Sequence, residues 1–317
     1  MHLYPMKMKP CFKDYLWGAD TLYRVFGKNS GFDVTAESWE LSAHSGGSSV
    51  IDSGVLLGTE FKKYISEHPE AAGSAAVGDF PVLIKFLDVS SMLSVQVHPS
   101  DETALEGEQG KAEVWYIVDA KPGAYIYYGL NRKVERSEFE EMLKNGTVTE
   151  CLKRVEVEPG QVWFITPGIV HSAGDGVLVA EVQQSSNTTF RVYDFDRVDA
   201  NGNKRELHIK RACDVMNFDP VKSEDMRINS SVYAKGYVYE NLFECGYFKL
   251  DRINLKGGML LNTDKTSFNS LLCIKGEGNI LFDGVSYEFK AGDCYFIPAG
   301  MGKYEIYGKA ELLLTRL

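Results

Sequence analysis

Apolar positions along the chain gather in short runs rich in β-branched and aromatic residues, at 82–86, 94–97, 114–118, 125–128, 162–165 and 178–182, broken by Gly, Pro, Asn and Asp. That is the pattern of strands punctuated by turns. Two stretches depart from it. Positions 59–69 set Phe61, Tyr64 and Ile65 at helical spacing, and positions 137–145 pair Ser137 with Glu140 as a capping box before a stop at Gly146. A third helix is expected around 207–215. The polar stretch 221–230 then marks a boundary between a unit spanning 1–225 and a smaller all-β unit spanning 226–317. The expected fold is all-β, with short helices laid on the strands or inserted between them.

One module occurs twice. Glu158-Pro-Gly-Gln-Val-Trp-Phe-Ile-Thr-Pro-Gly-Ile-Val-His171 aligns without gaps on Lys290-Ala-Gly-Asp-Cys-Tyr-Phe-Ile-Pro-Ala-Gly-Met-Gly-Lys303, with Gly160 opposite Gly292, Phe164 opposite Phe296 and His171 opposite Lys303. A glycine, an apolar strand, a Pro/Gly turn and a histidine resemble the second motif of the cupin superfamily. Gln96-Val97-His98 with Glu113 resembles the first, with Gln in place of the first His. The resemblance implies two jelly-roll, cupin-like β-barrels, the first catalytic and the second degenerate and metal-free.

In a strand, successive side chains alternate faces, so Gln96 and His98 leave one face while Val95 and Val97 leave the other. Pro99 interrupts the ladder directly afterwards, which places the pair near a barrel mouth. Glu113 opens an apolar run and His171 follows a Pro-Gly turn. Two imidazoles, a carboxylate and an amide oxygen form a nitrogen and oxygen donor set that suits Zn²⁺, Fe²⁺, Mn²⁺ or Co²⁺. His2, His44, His68 and His208 lack this context and read as structural, and Trp17, Trp39 and Trp115 read as core or pocket wall.

Composition narrows the function classes. The 317 residues are 44% hydrophobic and 12% aromatic, enough for one large core or two ordinary ones. A net charge of -10 disfavours nucleic acid and anionic membrane as partners. Neither a signal-type h-region nor a membrane-length apolar run is present, and the expected setting is cytoplasmic. The six cysteines show no CxxC spacing and read as free thiols. No feature points to a protein partner.

Leu93-Ser-Val-Gln-Val-His-Pro99, Lys111-Ala-Glu113, His171 and Arg191, with the earlier Tyr15-Leu-Trp-Gly-Ala19 and Ala36-Glu-Ser-Trp-Glu-Leu-Ser-Ala-His44, resemble the type I mannose-6-phosphate isomerases in their short bacterial form. This resemblance implies a zinc-dependent aldose-ketose isomerase that interconverts mannose 6-phosphate and fructose 6-phosphate through a cis-enediol. It also implies one zinc per chain on Gln96, His98, Glu113 and His171, and roles for Arg191, Lys111 and Lys85. Ala112 stands where the family carries proline. Moving a proton between C2 and C1 requires a base and an electrophile. Lys85 and Glu181 both qualify as the base, and Lys111 and Arg191 both qualify as binders of the phosphate. Two other classes fit part of the pattern: a cupin oxygenase, with iron on His98, Glu113 and His171, and a non-enzymatic sugar-phosphate-binding protein.

Overall fold

The computed structural model describes residues 3–199, 201–221 and 230–317. Its amino-terminal unit is a sandwich of two antiparallel sheets. One runs in the order Val162–Ile165, Glu113–Ala120, Val177–Gln184, Val82–Val89, Glu37–Leu41, Cys11–Lys13; the other runs Leu152–Glu156, Tyr125–Leu130, His171–Ala173, Val95–Val97, Phe190–Tyr193. Among the described residues no backbone ladder joins the two sheets, so the unit is a jelly-roll sandwich and not a closed barrel. Trp115, Ile117, Trp163, Ile165, Ile126 and Ala173 pack between the sheets as one apolar cluster. The opposite face of the shorter sheet, with Val95 and Val97, packs on Phe139, Leu143, Ala212 and Cys213 from the helices.

Every residue of Val82–Val89 and Val177–Gln184 is buried, because both faces of these strands are covered. The outer cover is a second core in which Phe86, Val114, Tyr116 and Val182 meet Phe243, Phe248, Leu250 and Phe296 of the carboxyl-terminal unit. The carboxyl-terminal strands form their own antiparallel array around a separate apolar cluster that includes Ile253, Leu271, Tyr295, Ile297, Tyr304 and Ile306. Strand Met6–Lys9 belongs to that array and pairs with Cys294–Ile297, Met6 lying opposite Phe296. The boundary expected at 225/226 lies outside the described residues.

Among the described residues the α-helices are Thr21–Phe26, Phe61–Glu67, Arg136–Asn145 and Ile209–Val215, the first of them not anticipated from the sequence. The expected capping box does not form. Helix Arg136–Asn145 begins one residue before Ser137, its capping residue Glu135 makes no side-chain capping bond, and Ser137 lies within the first turn. Its other end does close on Gly146, at φ 71°, a left-handed conformation that glycine adopts without a Cβ clash. Among the described residues no helix is long and apolar enough to cross a membrane.

Candidate active site and metal centre

Strand register assembles the site. Across the six-stranded sheet, Trp163 lies opposite Trp115, Trp115 opposite Glu181, Glu181 opposite Lys85 and Lys85 opposite Trp39. One residue row of the inner face therefore holds a carboxyl and an amine between indoles. One step along, Ile165 lies opposite Glu113 and Glu113 opposite Gln183. From the facing sheet, His171 lies opposite Gln96 and Gln96 opposite Arg191. His98 follows Gln96 by two positions and shares its face.

The two histidines and Glu113 are fully buried, and their donor atoms lie within 4.8 Å of one another. His98 Nδ1 donates to the carbonyl of Thr188 at 2.9 Å, and His171 Nδ1 donates to the carbonyl of Ile169 at 2.9 Å. A carbonyl only accepts, so each Nδ1 carries a proton and each Nε2 is the nitrogen left to serve as a metal ligand. Those nitrogens are turned to Glu113: His98 Nε2 is 3.5 Å from Oε2 and His171 Nε2 is 3.2 Å from Oε1. The Gln96 amide reaches His171 Nε2 at 3.4 Å.

A chain of alternating charge runs through the interior. Glu37 lies 3.3 Å from Lys85, Lys85 3.2 Å from Glu181, Glu181 3.6 Å from Lys111, and Lys111 2.7 Å from Glu113. The Lys111 ammonium also donates to His98 Nε2 at 3.2 Å. Glu37 accepts from the Trp39 indole at 2.6 Å and Glu181 from the Trp115 indole at 2.8 Å. Three carboxylates against two ammonium groups leave one negative charge in excess. Both Glu113 oxygens are sealed from solvent and, the Lys111 ammonium aside, have no hydrogen-bond partner. A buried carboxylate so under-satisfied, facing two imidazole lone pairs, fits a divalent cation. Gln96 stands beside them with an amide oxygen to offer.

Burial sets the protonation states, and the charge chain then sorts them. Burial, with Lys111 beside it, holds His98 well below the usual imidazole range. Burial favours the neutral acid at Glu113, yet Lys111 and His98 outweigh it and hold that carboxyl well below its ordinary value. Burial, then the charge of Glu113, raises Glu181 above the ordinary carboxylate value. Lys85 is pulled down by burial, but Glu181 and Glu37 overcome this and raise it. It is a cation clamped between acids, so it cannot accept a proton in this arrangement.

Arg191 has no direct contact with the charge chain and is half-buried. Its Nε donates to Ser94 Oγ at 3.2 Å and its Nη1 to the Glu206 carbonyl at 2.9 Å. Arg205 and Arg197 stand close enough to depress it, after burial itself, and both pair with Asp194. Sequence reasoning missed Glu37, although it lies two residues before Trp39 on one strand face, and the two orienting carbonyls, which carry no residue signature. Ala112 has a structural reason: its N–H donates to Gln184 Oε1 at 2.8 Å, a bond proline cannot make.

Comparison with known proteins shows the family of the chain. Residues 6–126 match the family described as phosphomannose isomerase type I, catalytic domain, and residues 239–317 match mannose-6-phosphate isomerase, cupin domain. The chain is 36% identical over 316 residues to the mannose-6-phosphate isomerase ManA of Bacillus subtilis, covering 99% of each. A crystal structure of the mannose 6-phosphate isomerase from Bacillus subtilis superimposes with a TM-score of 0.91 at 34% identity, over 98% of this chain and 99% of that one. A crystal structure of a mannose 6-phosphate isomerase bound with zinc and yttrium shares the fold at a TM-score of 0.75 and 16% identity, with 98% of each chain covered.

Proposed function

The chain belongs to the type I mannose-6-phosphate isomerases, and from that premise we propose that it interconverts D-mannose 6-phosphate and D-fructose 6-phosphate through a cis-enediol, with one zinc ion held by Gln96, His98, Glu113 and His171. The observation that carries the metal assignment is the pair of imidazoles, each locked by a backbone carbonyl with its Nε2 lone pair facing the under-satisfied Glu113 carboxylate. Zinc, when bound, supplies Lewis-acid polarisation of the sugar's oxygens.

The chain's own residues handle the proton and the phosphate. Glu181 is the base of this proposal. Burial and Glu113 raise it towards the working pH, where an acid-base group is most effective. It takes the proton from C2 of the open aldose while the C1 carbonyl oxygen gains one. The resulting cis-enediol regains a proton at C1 and loses one from the C2 hydroxyl, giving the ketose. Lys85, a cation against Glu181, steadies the carboxylate in its ionised form. Lys111, also buried, offers its ammonium to developing negative charge on the sugar oxygens. Arg191 takes the phosphate: a planar guanidinium makes paired hydrogen bonds, and Arg205 nearby adds positive charge. In this reading residues 1–225 carry the reaction and residues 226–317 bind no metal.

A coupled assay with the zinc-loaded protein tests this. Conversion of mannose 6-phosphate that EDTA abolishes is expected. His98→Ala should lose both metal and activity, whereas Arg191→Ala should lose activity and keep the metal. Zinc-dependent turnover persisting in His98→Ala overturns the ligand set. Iron with oxygen uptake and no isomerisation makes the chain a cupin oxygenase instead.

A further inference from the structure

The carboxyl-terminal unit touches the loop that carries Lys111. The turn between strands Tyr237–Glu244 and Lys249–Leu255 holds Tyr247, whose neighbours Phe243 and Phe248 are buried in the core shared by the two units. Phe243 packs on Phe164 with ring centroids 4.3 Å apart. The turn is thereby fixed on the first unit, and the Tyr247 hydroxyl donates to Asp101 Oδ2 at 2.6 Å.

Asp101 sits at the base of the loop that joins His98 to Glu113. Its Oδ1 accepts from the Gly110 N–H at 2.8 Å and from Gln184 Nε2 at 3.1 Å. Gln184 in turn accepts from the Ala112 N–H at 2.8 Å, and the Lys111 N–H donates to the Pro99 carbonyl at 2.9 Å. Lys111 is flanked on both sides by backbone groups tied to Asp101, directly or through Gln184. The two limbs approach so closely that a Cβ on Gly110 would lie 2.5 Å from the Asp101 nitrogen, so only glycine fits there. Most of residues 101–109 are exposed, and hydrogen bonds rather than burial hold the loop. The Tyr247 hydrogen bond is the largest influence holding the Asp101 carboxyl below its ordinary value, and the same bond pushes the Tyr247 phenol up to about 12.

We propose that Tyr247 is a positioning residue for the reaction: acting through Asp101, it fixes the 99–112 loop and so aims Lys111 at the site, which gives the carboxyl-terminal unit a part in catalysis. This rests on the isomerase reading for its activity arm and on geometry alone for its loop arm. The test compares the full zinc-loaded chain with Tyr247→Phe, Asp101→Ala and the double variant. The readouts are kcat and KM for mannose 6-phosphate, zinc content, and amide hydrogen exchange. Tyr247→Phe should lower kcat about three- to ten-fold, the worth of one hydrogen bond, with KM and zinc content unchanged. Exchange at Gly110, Lys111 and Ala112 should quicken by a similar factor while strand Val177–Gln184 stays as it was. In the Asp101→Ala background the Tyr247 substitution should add nothing. An unchanged kcat, unchanged loop exchange, or an undiminished effect without Asp101 each overturns the proposal. A wild-type chain that does not isomerise the sugar phosphate sinks the isomerase reading instead, and the exchange arm still decides whether Tyr247 holds the loop.

Discussion

The two units share one frame and fill it differently. Gly160 and Gly292 turn at φ 90° and 89°, and their N–H groups donate to the carbonyls of Ile117 and Cys273, each on the strand paired with the motif strand. Phe164 and Phe296 face the common core, while Trp163 with Ile165 and Tyr295 with Ile297 face their own interiors. Opposite Ile165 stands Glu113; opposite Ile297 stands Asn269. Where Glu113 faces His171, Asn269 donates to the buried Tyr304 hydroxyl at 2.8 Å. The same position thus holds a charge that needs a cation in one unit and a satisfied neutral pair in the other. The turn is a property of the fold, and the proposed metal centre is an addition to it.

Removing the charge from the first interior should have the largest effect. Glu113→Ala is expected to lose zinc and to cut turnover by at least about a hundred-fold, since even outer partners of a metal site cost that much; metal analysis and the coupled assay read both. Emptying the second interior should instead cost stability. Tyr304→Ala removes a fully buried ring and should lower unfolding free energy by about 3–5 kcal/mol, with turnover per folded molecule and zinc content unchanged in denaturant titration and assay.

A smaller difference concerns the open edge of the first unit. Burial opposes ionisation of Asp194, yet Arg205 and Arg197 hold its carboxyl below the ordinary value. A folded value depressed below the unfolded one contributes stability above about pH 4 that is lost as the pH falls through the folded value. Asp194→Asn should therefore be about 2 kcal/mol less stable than wild type at neutral pH, and the two melting curves should converge in acid. The smallest effect expected is none. Lys303→His should gain no zinc, because Lys303 points to solvent and the inward position belongs to Tyr304.

That last point corrects the gapless alignment of the two motifs. Correspondence holds as far as Ile169 and Met301, both of which face their own interiors. Val170 then continues as a buried outward residue, whereas its counterpart Gly302 turns at φ 90°, a conformation a valine resists. The strand beyond Gly302 presents Tyr304 and Ile306 inward in place of Lys303. A glycine in a string of letters does not announce which way its neighbour will face.

Much of the site was legible because strand alternation is a local property. Gln96 with His98, and Glu37 with Trp39, share a face whatever the rest of the chain does. Helix Arg136–Asn145 is expected from Gly146 and a Ser137/Glu140 capping box; the end holds, but the start does not, because the chain enters from Glu135 without a side-chain cap. Lys85 qualified as a base from sequence alone; register against Glu181 and proximity to Glu37 made it a cation.

By itself the sequence determined the strands, the repeated turn, the face that carries each proposed ligand and the family to which the pattern belongs, since these depend on residue type and spacing within a few positions. Tertiary structure alone decided which carboxylate meets which ammonium, which histidine nitrogen keeps its lone pair, and that a tyrosine 146 positions from Asp101 reaches its carboxylate. Those outcomes depend on strand pairing and packing between distant segments, and in a low-dielectric interior a separation of a few ångströms sets both charge state and chemistry.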